Sequence, residues 1–219
     1  KNIKLITISR FEYKFLSKYL RSIDIDYMPF GVDHNFWYPQ KKLLTKPYIL
    51  AIGNDLSRDW EFLESSWDAS YPLLKIVTSL PIKTSKKNVN IIRGNWHFQT
   101  LTDLEIRNLY RDSEFVIITL KETLQPSGQS VALQAMACSK AVLITDIKGI
   151  WDKDLLKHKE NIFLLKQGDK EELQNAILLF LKDNQLRQKI EVNGRKLVER
   201  YFNVETMKDN LIKILEVNN

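Results

Sequence analysis

Cysteine, histidine and long apolar runs are scarce in this chain of 219 residues. The single cysteine, Cys138, excludes a disulfide within the chain and any metal site built from several cysteines. The three histidines, His34, His97 and His158, do not have the spacing of metal ligands. No stretch approaches the roughly eighteen consecutive apolar residues of a transmembrane helix, and the polar first residues do not resemble a signal peptide. These absences predict a cytoplasmic protein that holds no metal ion.

The positive charge of the chain is concentrated near its beginning. Of the net charge of +6, most lies in residues 1–47, which hold nine basic and four acidic side chains. Arg10, Lys14 and Lys18 form a stripe with i,i+4 spacing, which favours contact with an anionic membrane surface. A solvated helix face is the alternative. Because no nucleic-acid-binding module accompanies the stripe, we expect no nucleic-acid partner.

Short runs of apolar and β-branched residues recur along the chain. Most are continuously apolar rather than alternating, which is typical of strands buried on both faces in a parallel sheet covered by helices. We predict eight strands, over Ile3–Ile8, Ile25–Met28, Tyr48–Ile52, Leu73–Thr78, Val89–Ile92, Phe115–Thr119, Ala141–Thr145 and Ile162–Leu165.

Helical patterns separate these strands. Ser9-x-x-Glu12 has the form of a capping box, and it predicts a helix over residues 9–21 that carries the basic stripe. A second box begins at Thr102, and helical spacing of apolar residues follows Asp169. Two more helices are predicted over 185–200 and 204–215. The alternation predicts an α/β fold with a Rossmann-like, doubly wound parallel sheet.

The pattern divides the chain near residue 47. Residues 48–219 contain six of the strands, enough for a complete Rossmann-like domain. Residues 1–47 contain only two strands and one helix, which cannot bury a core alone. They end in the segment Trp37–Pro47, which carries prolines near both ends and which we interpret as a linker. Residues 1–47 are therefore either an appendage docked on the main domain or the tail of another domain.

Ligands of open parallel sheets bind at the carboxyl ends of the strands, so the segments that follow the strands matter most. Gly53 follows a predicted strand and permits a sharp turn; Ser57 is predicted to cap the next helix, with Arg58 in its first turn. A cation there is unfavourable unless an anion such as a diphosphate binds between it and the helix. The alternative is a surface arginine paired with Asp55 or Asp59.

A second turn, Pro126-Ser127-Gly128, opens a helix of small and apolar residues. Small residues let backbone N–H groups approach a ligand. Ser127, Ser130 and Gln134 share one face of this helix. Gln134 is either a ligand-facing amide or a buried amide that the protein itself satisfies.

Other signatures are missing. There is no Gly-x-Gly-x-x-Gly motif and no P-loop, so a classical dinucleotide or NTPase site is not predicted. The Asp-x-Asp pairs at residues 24–26 and 152–154 are too short to predict a metal site, and no catalytic triad can be assembled. We expect no cofactor, and the catalytic residue stays unidentified.

Six segments, taken in order, resemble the group 1 (family 4) glycosyltransferases of the GT-B fold, and the chain is similar to the C-terminal half of such an enzyme. The segment Leu-Gln-Ala-Met-Ala-Cys-Ser-Lys-Ala-Val at residues 133–142 resembles the family's Leu-Glu-Ala-Met-Ala-Cys-Gly-Lys-Pro-Val. The other five segments are residues 3–20, the Gly-Val-Asp…Phe…Pro run at 31–39, and residues 53–63, 104–113 and 161–169.

The resemblance implies transfer of a sugar from a nucleotide-diphosphate sugar to a carbohydrate or lipid-linked acceptor, with retention and without a metal, in polysaccharide, lipopolysaccharide or glycolipid synthesis. It also implies a cytoplasmic enzyme peripheral to the inner face of the membrane. Residues 1–47 would be the tail of the N-terminal domain plus the linker, and 48–219 the donor-binding domain. Such a fragment is expected to be inactive by itself.

The resemblance also implies a donor-binding site. The family's diphosphate-binding cations fall near Asn54 and Arg58, and its ribose-binding glutamate falls on Gln134. Its other glutamate falls on Pro126, next to Gln125. The implied donor-binding set is Gly53, Asn54, Arg58, Gln125, Ser127, Gly128, Gln129, Ser130 and Gln134.

Two departures leave rival functions open. The family's Glu-x7-Glu pair is absent, and Asn54 stands where a cation is usual. These losses favour, as an alternative, a non-catalytic nucleotide-binding or assembly module of the same fold. A sugar-nucleotide epimerase is a third hypothesis, in which Glu122 would be the only carboxylate near the opening of the helix.

Overall fold

The computed structural model describes residues 4–40, 47–94 and 100–216. The predicted strand residue Ile3, residues 41–46 of the predicted linker, and His97 lie outside these ranges. Among the described residues, no helix is both long and apolar enough to cross a membrane.

The main body is a six-stranded sheet in which every pair of neighbouring strands is parallel. The strands are β3 (Tyr48–Ile52), β4 (Leu73–Thr78), β5 (Val89–Arg93), β6 (Val116–Ile118), β7 (Val142–Thr145) and β8 (Phe163–Leu165). The spatial order is β5-β4-β3-β6-β7-β8. This is the order of a doubly wound Rossmann sheet, and it confirms the predicted fold.

Helices cover both faces of this sheet because its strands are apolar on both sides. All five residues of β3 are buried, and alternate ones enter different cores: Leu50 and Ile52 pack in one, Ile49 and Ala51 in the other. Such double burial requires a helical layer on each face. The helices of this domain are α2 (Trp60–Ser66), α3 (Asp103–Asp112), α4 (Gln129–Ala137), α5 (Lys170–Lys182), α6 (Asn184–Tyr201) and α7 (Val204–Glu216).

A separate βαβ unit precedes the six-stranded domain. It consists of β1 (Lys4–Thr7), α1 (Arg10–Tyr19) and β2 (Asp24–Tyr27), and β1 pairs in parallel with β2. Lys4 lies 3.1 Å from Asp24 and 2.6 Å from Asp26, so it bridges both carboxylates of one Asp-x-Asp pair. Helix α1 has no buried residue. We call residues 4–27 the N-terminal unit.

The N-terminal unit docks on the six-stranded domain through the turn between β1 and α1. The Arg10 amide donates to the Trp151 carbonyl at 2.8 Å, and Arg10 Nε lies 3.0 Å from Asp152 Oδ2. Gln129 Nε2 donates to the Ile8 carbonyl at 3.2 Å. The turn therefore lies beside the first residues of α4.

The two predicted capping boxes form to different extents. At Thr102 the box is complete: its hydroxyl accepts from the Glu105 amide, and the Glu105 carboxylate accepts from the Thr102 amide. At Ser9 only half is present, because Ser9 Oγ accepts from the Glu12 amide at 3.3 Å without a return bond within the described ranges. The prediction of a box at Ser9 was therefore half wrong, and the Glu12 carboxylate is left unused by the cap.

Candidate functional site

The strand order reverses between β3 and β6, and this point marks the candidate site. From β3 the chain moves outward through β4 and β5, and from β6 it moves outward the other way through β7 and β8. Connections that diverge in this manner leave a crevice at the carboxyl ends of the two central strands. Residues 53–59 follow β3 and residues 119–128 follow β6, so both sequence-predicted segments border this crevice.

Backbone hydrogen bonds join these two segments. The Asp59 amide donates to the Thr119 carbonyl at 3.0 Å, and the Lys121 amide donates to the Ser57 carbonyl at 2.7 Å. Arg58 thereby forms an antiparallel bridge with Leu120, and α2 begins only afterwards, at Trp60. Asp59 Oδ1 caps it by accepting from the Phe62 amide at 3.3 Å. The predicted cap at Ser57, and the predicted place of Arg58 in the first helical turn, were therefore wrong.

Arg58 lies in the interior instead of on the surface. The residue is 4% exposed, and its Nε lies 2.8 Å from Asp55 Oδ2. The guanidinium lies against Gly53, where an added Cβ would stand 2.1 Å from Nε. Burial lowers the pKa of Arg58, and the nearby Asp55 carboxylate opposes that shift. The predicted pairing with Asp55 is confirmed, whereas the predicted surface exposure is not.

Two nitrogens of Arg58 are buried without a hydrogen bond. Within the described parts of the chain these are Nε, whose contact with Asp55 is an ion pair only, and Nη1. Nη1 lies next to Gly128, whose ideal Cβ position is 3.4 Å away. An unsatisfied buried donor is costly and calls for an acceptor.

Gly128 begins helix α4 in a left-handed conformation, with φ of 78°. No side chain caps this helix, so its first-turn N–H groups are directed out of the helix end without a side-chain acceptor. A Cβ at this position would also stand 2.9 Å from the Ile118 side chain. The open helix end and Arg58 Nη1 adjoin, and together they have the chemistry of an anion site.

A cavity of about 290 Å³ lies in front of this helix end. We call it the α4 cavity. Its walls come from residues on both sides of the predicted linker. Ile8 and Phe30 precede the linker, whereas Asp55 follows β3 in the six-stranded domain. The other lining residues are Pro126, Ser127, Gly128, Gln129 and Ser130.

Gln134 borders a smaller, neighbouring cavity of about 70 Å³. Its Oε1 accepts from the Tyr110 hydroxyl at 3.2 Å. Tyr110 is fully buried, and burial raises its pKa while Arg58 lowers it, so these side chains form one electrostatic cluster. The interpretation of an amide satisfied by the protein holds for the oxygen of Gln134, and the residue also lines this small cavity. The remaining lining residues are Trp37, Ile52, Asp103, Ile106, Ser130 and Val131.

Two predicted site residues have structural partners instead. The Asn54 amide nitrogen donates to the Gly94 carbonyl at 3.2 Å, and its Oδ1 accepts from the Ser79 amide at 2.6 Å. Asn54 thus ties together the ends of β4 and β5. Gln129 is 4% exposed, and its amide holds the Ile8 carbonyl. Each of the two amides therefore has at least one structural contact within the protein.

The sequence patterns missed several residues of the crevice. Ile8 and Phe30 line the α4 cavity because the residues before the linker dock on the six-stranded domain. No local sequence pattern predicts this position for either residue. Trp37, which we expected in a linker, is buried and packs edge-on against Tyr110 with ring centroids 5.8 Å apart. A tryptophan in a predicted surface linker was the one signal that pointed to this role.

The second Asp-x-Asp pair also faces cations. Asp152 is 1% exposed and pairs with Arg10, while Lys14 Nζ lies 3.4 Å from Asp154 Oδ2. Two of the three cations in the predicted membrane-binding stripe are therefore turned toward the six-stranded domain. Across the described ranges, no group of three or more carboxylate, histidine or cysteine side chains is arranged to hold a metal ion.

Comparison with known proteins gives one family and several similar folds. The family model described as "Glycosyl transferases group 1" matches residues 81–197, more than half of the chain. No curated protein sequence matches the chain.

Among solved structures, a sucrose-phosphate synthase from Thermosynechococcus elongatus is similar with a TM-score of 0.77 and 20% identity, covering 99% of this chain and 59% of that chain. HepE from Anabaena, in complex with UDP and glucose, has a TM-score of 0.72 and 18% identity, covering 96% and 62%. The C-terminal domain of a group 1 family glycosyl transferase from Francisella tularensis has a TM-score of 0.61 and 20% identity, covering 78% and 99%. The chain thus spans about three fifths of the first two proteins.

Proposed function

Because the chain belongs to the group 1 glycosyl transferases, we propose that it supplies the donor-binding part of an enzyme that transfers a sugar from a nucleoside-diphosphate sugar to a hydroxyl acceptor. The observation that carries the proposal is the unpartnered Arg58 Nη1 beside the uncapped N-terminus of α4. A diphosphate satisfies both, since its oxygens accept from the guanidinium and from the first-turn N–H groups.

The nucleoside would lie along α4, away from the diphosphate. Gln134 is one and a half turns beyond the start of α4 and borders the small cavity with Ser130. Its oxygen accepts from Tyr110, so its amide nitrogen is the group available to a ribose hydroxyl. This assignment keeps Gln134 in the role that the resemblance implies and gives it one donor rather than a carboxylate.

The chemistry of the step follows from where charge develops. The bond between the anomeric carbon and the β-phosphate oxygen breaks, and the departing nucleoside diphosphate gains negative charge. Arg58 and the dipole of α4 stabilise that charge more strongly than they stabilise the intact donor. The acceptor oxygen bonds to the anomeric carbon, and its proton passes to the departing phosphate oxygen. In this proposal a fixed guanidinium and a helix end supply the positive potential, and the sugar is transferred with retention.

The division of the chain is part of the proposal. Residues 1–47 would be the tail of a preceding domain with its linker, and 48–219 the donor-binding domain. Support comes from coverage: the Francisella tularensis domain is matched over 99% of its length, whereas the two larger proteins are matched over 59% and 62%.

The contacts of Glu122 and Asn54 bear differently on the two rival functions. Glu122, which an epimerase would need as an acid or base, accepts from the Lys148 amide at 2.9 Å. It therefore has a structural partner, and no observation favours an epimerase. A non-catalytic nucleotide-binding module keeps specific support, because Asn54 replaces a cation and is engaged by Gly94 and Ser79.

Calorimetric titration of this chain with UDP, GDP and ADP tests the proposal, with inorganic phosphate and the three nucleosides as comparisons. We expect one diphosphate to bind at sub-millimolar concentration, far more tightly than its nucleoside. If all three nucleoside diphosphates fail to bind at millimolar concentration, the donor-site assignment is wrong. Measuring hydrolysis of the matching nucleotide sugar then separates an enzyme from a binding module, preferably in a longer protein that contains this chain.

A further inference from the structure

Glu12 is a carboxylate that the fold leaves unused. It lies in the first turn of α1, where its amide bonds to Ser9 Oγ but its carboxylate returns no bond. The side chain is half-buried, and within the described ranges no hydrogen bond or ion pair engages it. Burial raises the pKa of Glu12. The N-terminal unit therefore holds a partly desolvated acceptor without a partner of its own.

Glu12 lines a shallow concavity of about 350 Å³ that is widely open to solvent. The lining is short: Ile8, Glu12, Gln125, Pro126 and Ser127. Ile8, Pro126 and Ser127 also line the α4 cavity, so the two spaces adjoin. We call the second space the Glu12 pocket.

The polar groups that line the Glu12 pocket come from different parts of the chain. Glu12 comes from the N-terminal unit, whereas Gln125 and Ser127 follow β6 in the six-stranded domain, and Gln125 is exposed. The same lining includes the apolar side chains of Ile8 and Pro126. A carboxylate, an amide and a hydroxyl together with apolar surface suit a polyhydroxylated ring, which offers hydroxyl donors at its edge and C–H groups on its faces. A second anion is disfavoured here, because the carboxylate would repel it.

We propose that Glu12 is a specificity-determining residue that accepts hydrogen bonds from the hydroxyls of a sugar ring bound in the Glu12 pocket, beside the diphosphate. The inference rests on the proposed function, because it places the sugar next to the nucleotide site. Two sources of the ring share this chemistry: the sugar of the donor and a sugar of the acceptor. In either case the N-terminal unit contributes directly to sugar recognition.

Calorimetry on the whole chain tests the inference with Glu12→Ala and a matched control, Glu171→Ala. Glu171 is also a first-turn glutamate, on α5, and is exposed away from both cavities. In the first arm each protein is titrated with UDP and UDP-glucose, GDP and GDP-mannose, and ADP and ADP-glucose. In the second arm glucose, galactose and N-acetylglucosamine are titrated into protein saturated with the diphosphate that binds.

If the donor sugar occupies the pocket, Glu12→Ala weakens binding of the nucleotide sugar by about tenfold or more and leaves the bare diphosphate unchanged. If the acceptor sugar occupies it, the loss of similar size appears only in the second arm. Glu171→Ala behaves as the parent in both. Normal diphosphate binding with no effect of Glu12→Ala in either arm overturns this inference alone. If the parent binds no diphosphate, the proposed function fails and the inference falls with it.

Discussion

At the scale of single residues, Arg58 is held in a position that costs stability. Its guanidinium is buried beside a half-exposed Asp55, and burial lowers its pKa. One ion pair, which does not include a hydrogen bond from Nε, offsets only part of the free-energy cost of removing the charge from water. Residues kept under such conditions are common at binding sites, where a ligand completes the interaction.

We expect Arg58→Met to separate binding from stability. Methionine fills a similar volume without a charge, so the ligand-free protein should unfold at the same or a higher temperature. Binding of a nucleoside diphosphate should weaken by roughly ten- to a hundredfold, because a charged hydrogen bond contributes about 1.5–3 kcal/mol. Calorimetry measures binding and thermal unfolding measures stability. The control is Arg200→Met, at an exposed arginine of α6. Lower stability together with unchanged binding would mean that Arg58 is purely structural.

Gly128 permits a second test at this scale because the chain has a matched glycine. Gly128 and Gly168 both have left-handed φ, at 78° and 67°, but only Gly128 is crowded. Gly168→Ala should therefore cost only the conformational term, about 1 kcal/mol in free energy of unfolding. Gly128→Ala should cost more, because its Cβ would meet Ile118 at 2.9 Å.

The two glycine variants should also differ in nucleotide binding. Displacement of the first turn of α4 by Gly128→Ala should weaken diphosphate binding, while Gly168→Ala should leave it intact. Chemical denaturation and calorimetry measure both quantities. Equal stability losses and equal affinities would show that the start of α4 is not a constrained site.

Residue-level prediction succeeded where a backbone requirement had a local signature. Gly128 was predicted in a turn that opens a helix, and it lies in one directly before α4. Gly53 was predicted to form a sharp turn, but its backbone is not in a turn; an added Cβ there would instead collide with the Arg58 guanidinium. The roles of Asn54 and Gln129 were not predictable, because their partners Gly94 and Ile8 are distant in the chain. Arg58 was expected on a helix surface, since the sequence does not reveal that it pairs with Leu120 in the segment after β6.

At the scale of elements, α3 and α4 are joined through one polar contact in an apolar core. The Tyr110 hydroxyl has no exposure and donates to Gln134. A buried hydroxyl without an acceptor costs about 1–3 kcal/mol. This contact therefore links the buried hydroxyl of α3 to the side chain of α4 that borders the small cavity.

Gln134→Ala should therefore destabilise the protein by about 1–3 kcal/mol, since it leaves the Tyr110 hydroxyl unsatisfied. Tyr110→Phe removes the hydroxyl that needs an acceptor. The double variant, with Gln134→Ala and Tyr110→Phe together, should therefore lose less free energy of unfolding than the two single variants added together. Gln134→Glu keeps an acceptor for Tyr110 and should bind the nucleoside diphosphate more tightly, because a carboxylate strengthens bonds to ribose hydroxyls. Denaturant unfolding and calorimetry test this; additive single costs would contradict the contact.

The predicted membrane contact concerns helix α1. The structure limits the candidate contact to the C-terminal end of this helix and the residues just after it. Arg10 and Lys14 face Asp152 and Asp154, but Lys18 and Arg21 are exposed. Phe15 and Tyr19 lie 4.9 Å apart between ring centroids and are 38% and 63% exposed. Exposed cations next to aromatic rings suit an anionic lipid surface.

Changing Lys18 and Arg21 together to Glu should release the chain from vesicles containing phosphatidylserine, as measured by co-sedimentation at low salt. Lys14→Glu is the control, and it should have less effect on vesicle binding than the double change. Its ammonium group pairs with Asp154 of the six-stranded domain at 3.4 Å. Unchanged binding of the double variant, or no binding by the parent, would contradict membrane contact through α1.

Element-level prediction was accurate where hydrophobic periodicity was strong. Strand β3 agrees with its predicted bounds, and α6 and α7 agree to within one residue at each end. The predicted strand over 115–119 is shorter, because Phe115 and Thr119 flank β6 rather than join it. Apolar runs continue past the ends of buried strands, so periodicity alone cannot fix where pairing stops.

At the scale of the whole molecule, the crevice is assembled from both sides of the linker. The α4 cavity and the Glu12 pocket each include Ile8, which belongs to the turn after β1. The sequence indicated that residues 1–47 could not stand alone, but the docking contacts were beyond its reach. Arg10 and Asp152 are separated by 142 positions, and no local pattern encodes their meeting.

Asp152 is one of the residues that attach the N-terminal unit. Its Oδ2 accepts from Arg10 Nε at 3.0 Å, while its Oδ1 accepts from the amides of Asp154 and Leu155. The side chain is fully buried, so its bond to Arg10 is shielded from solvent on that side. The neighbouring pair of Lys14 and Asp154 is exposed at both ends, and such pairs contribute little.

Asp152→Asn should therefore loosen the N-terminal unit, whereas the matched Asp154→Asn should not. Asparagine keeps an oxygen for the local turn but turns an NH₂ group, a donor, toward the Arg10 donor, so their attraction is lost. Hydrogen–deuterium exchange should become at least severalfold faster in peptides covering residues 4–27 and stay unchanged in β3 and β6, which have their own core. If exchange rises equally in both regions, Asp152 supports the six-stranded domain rather than the docking. If neither variant changes exchange, the backbone contacts of Ile8 and Arg10 are sufficient to hold the unit.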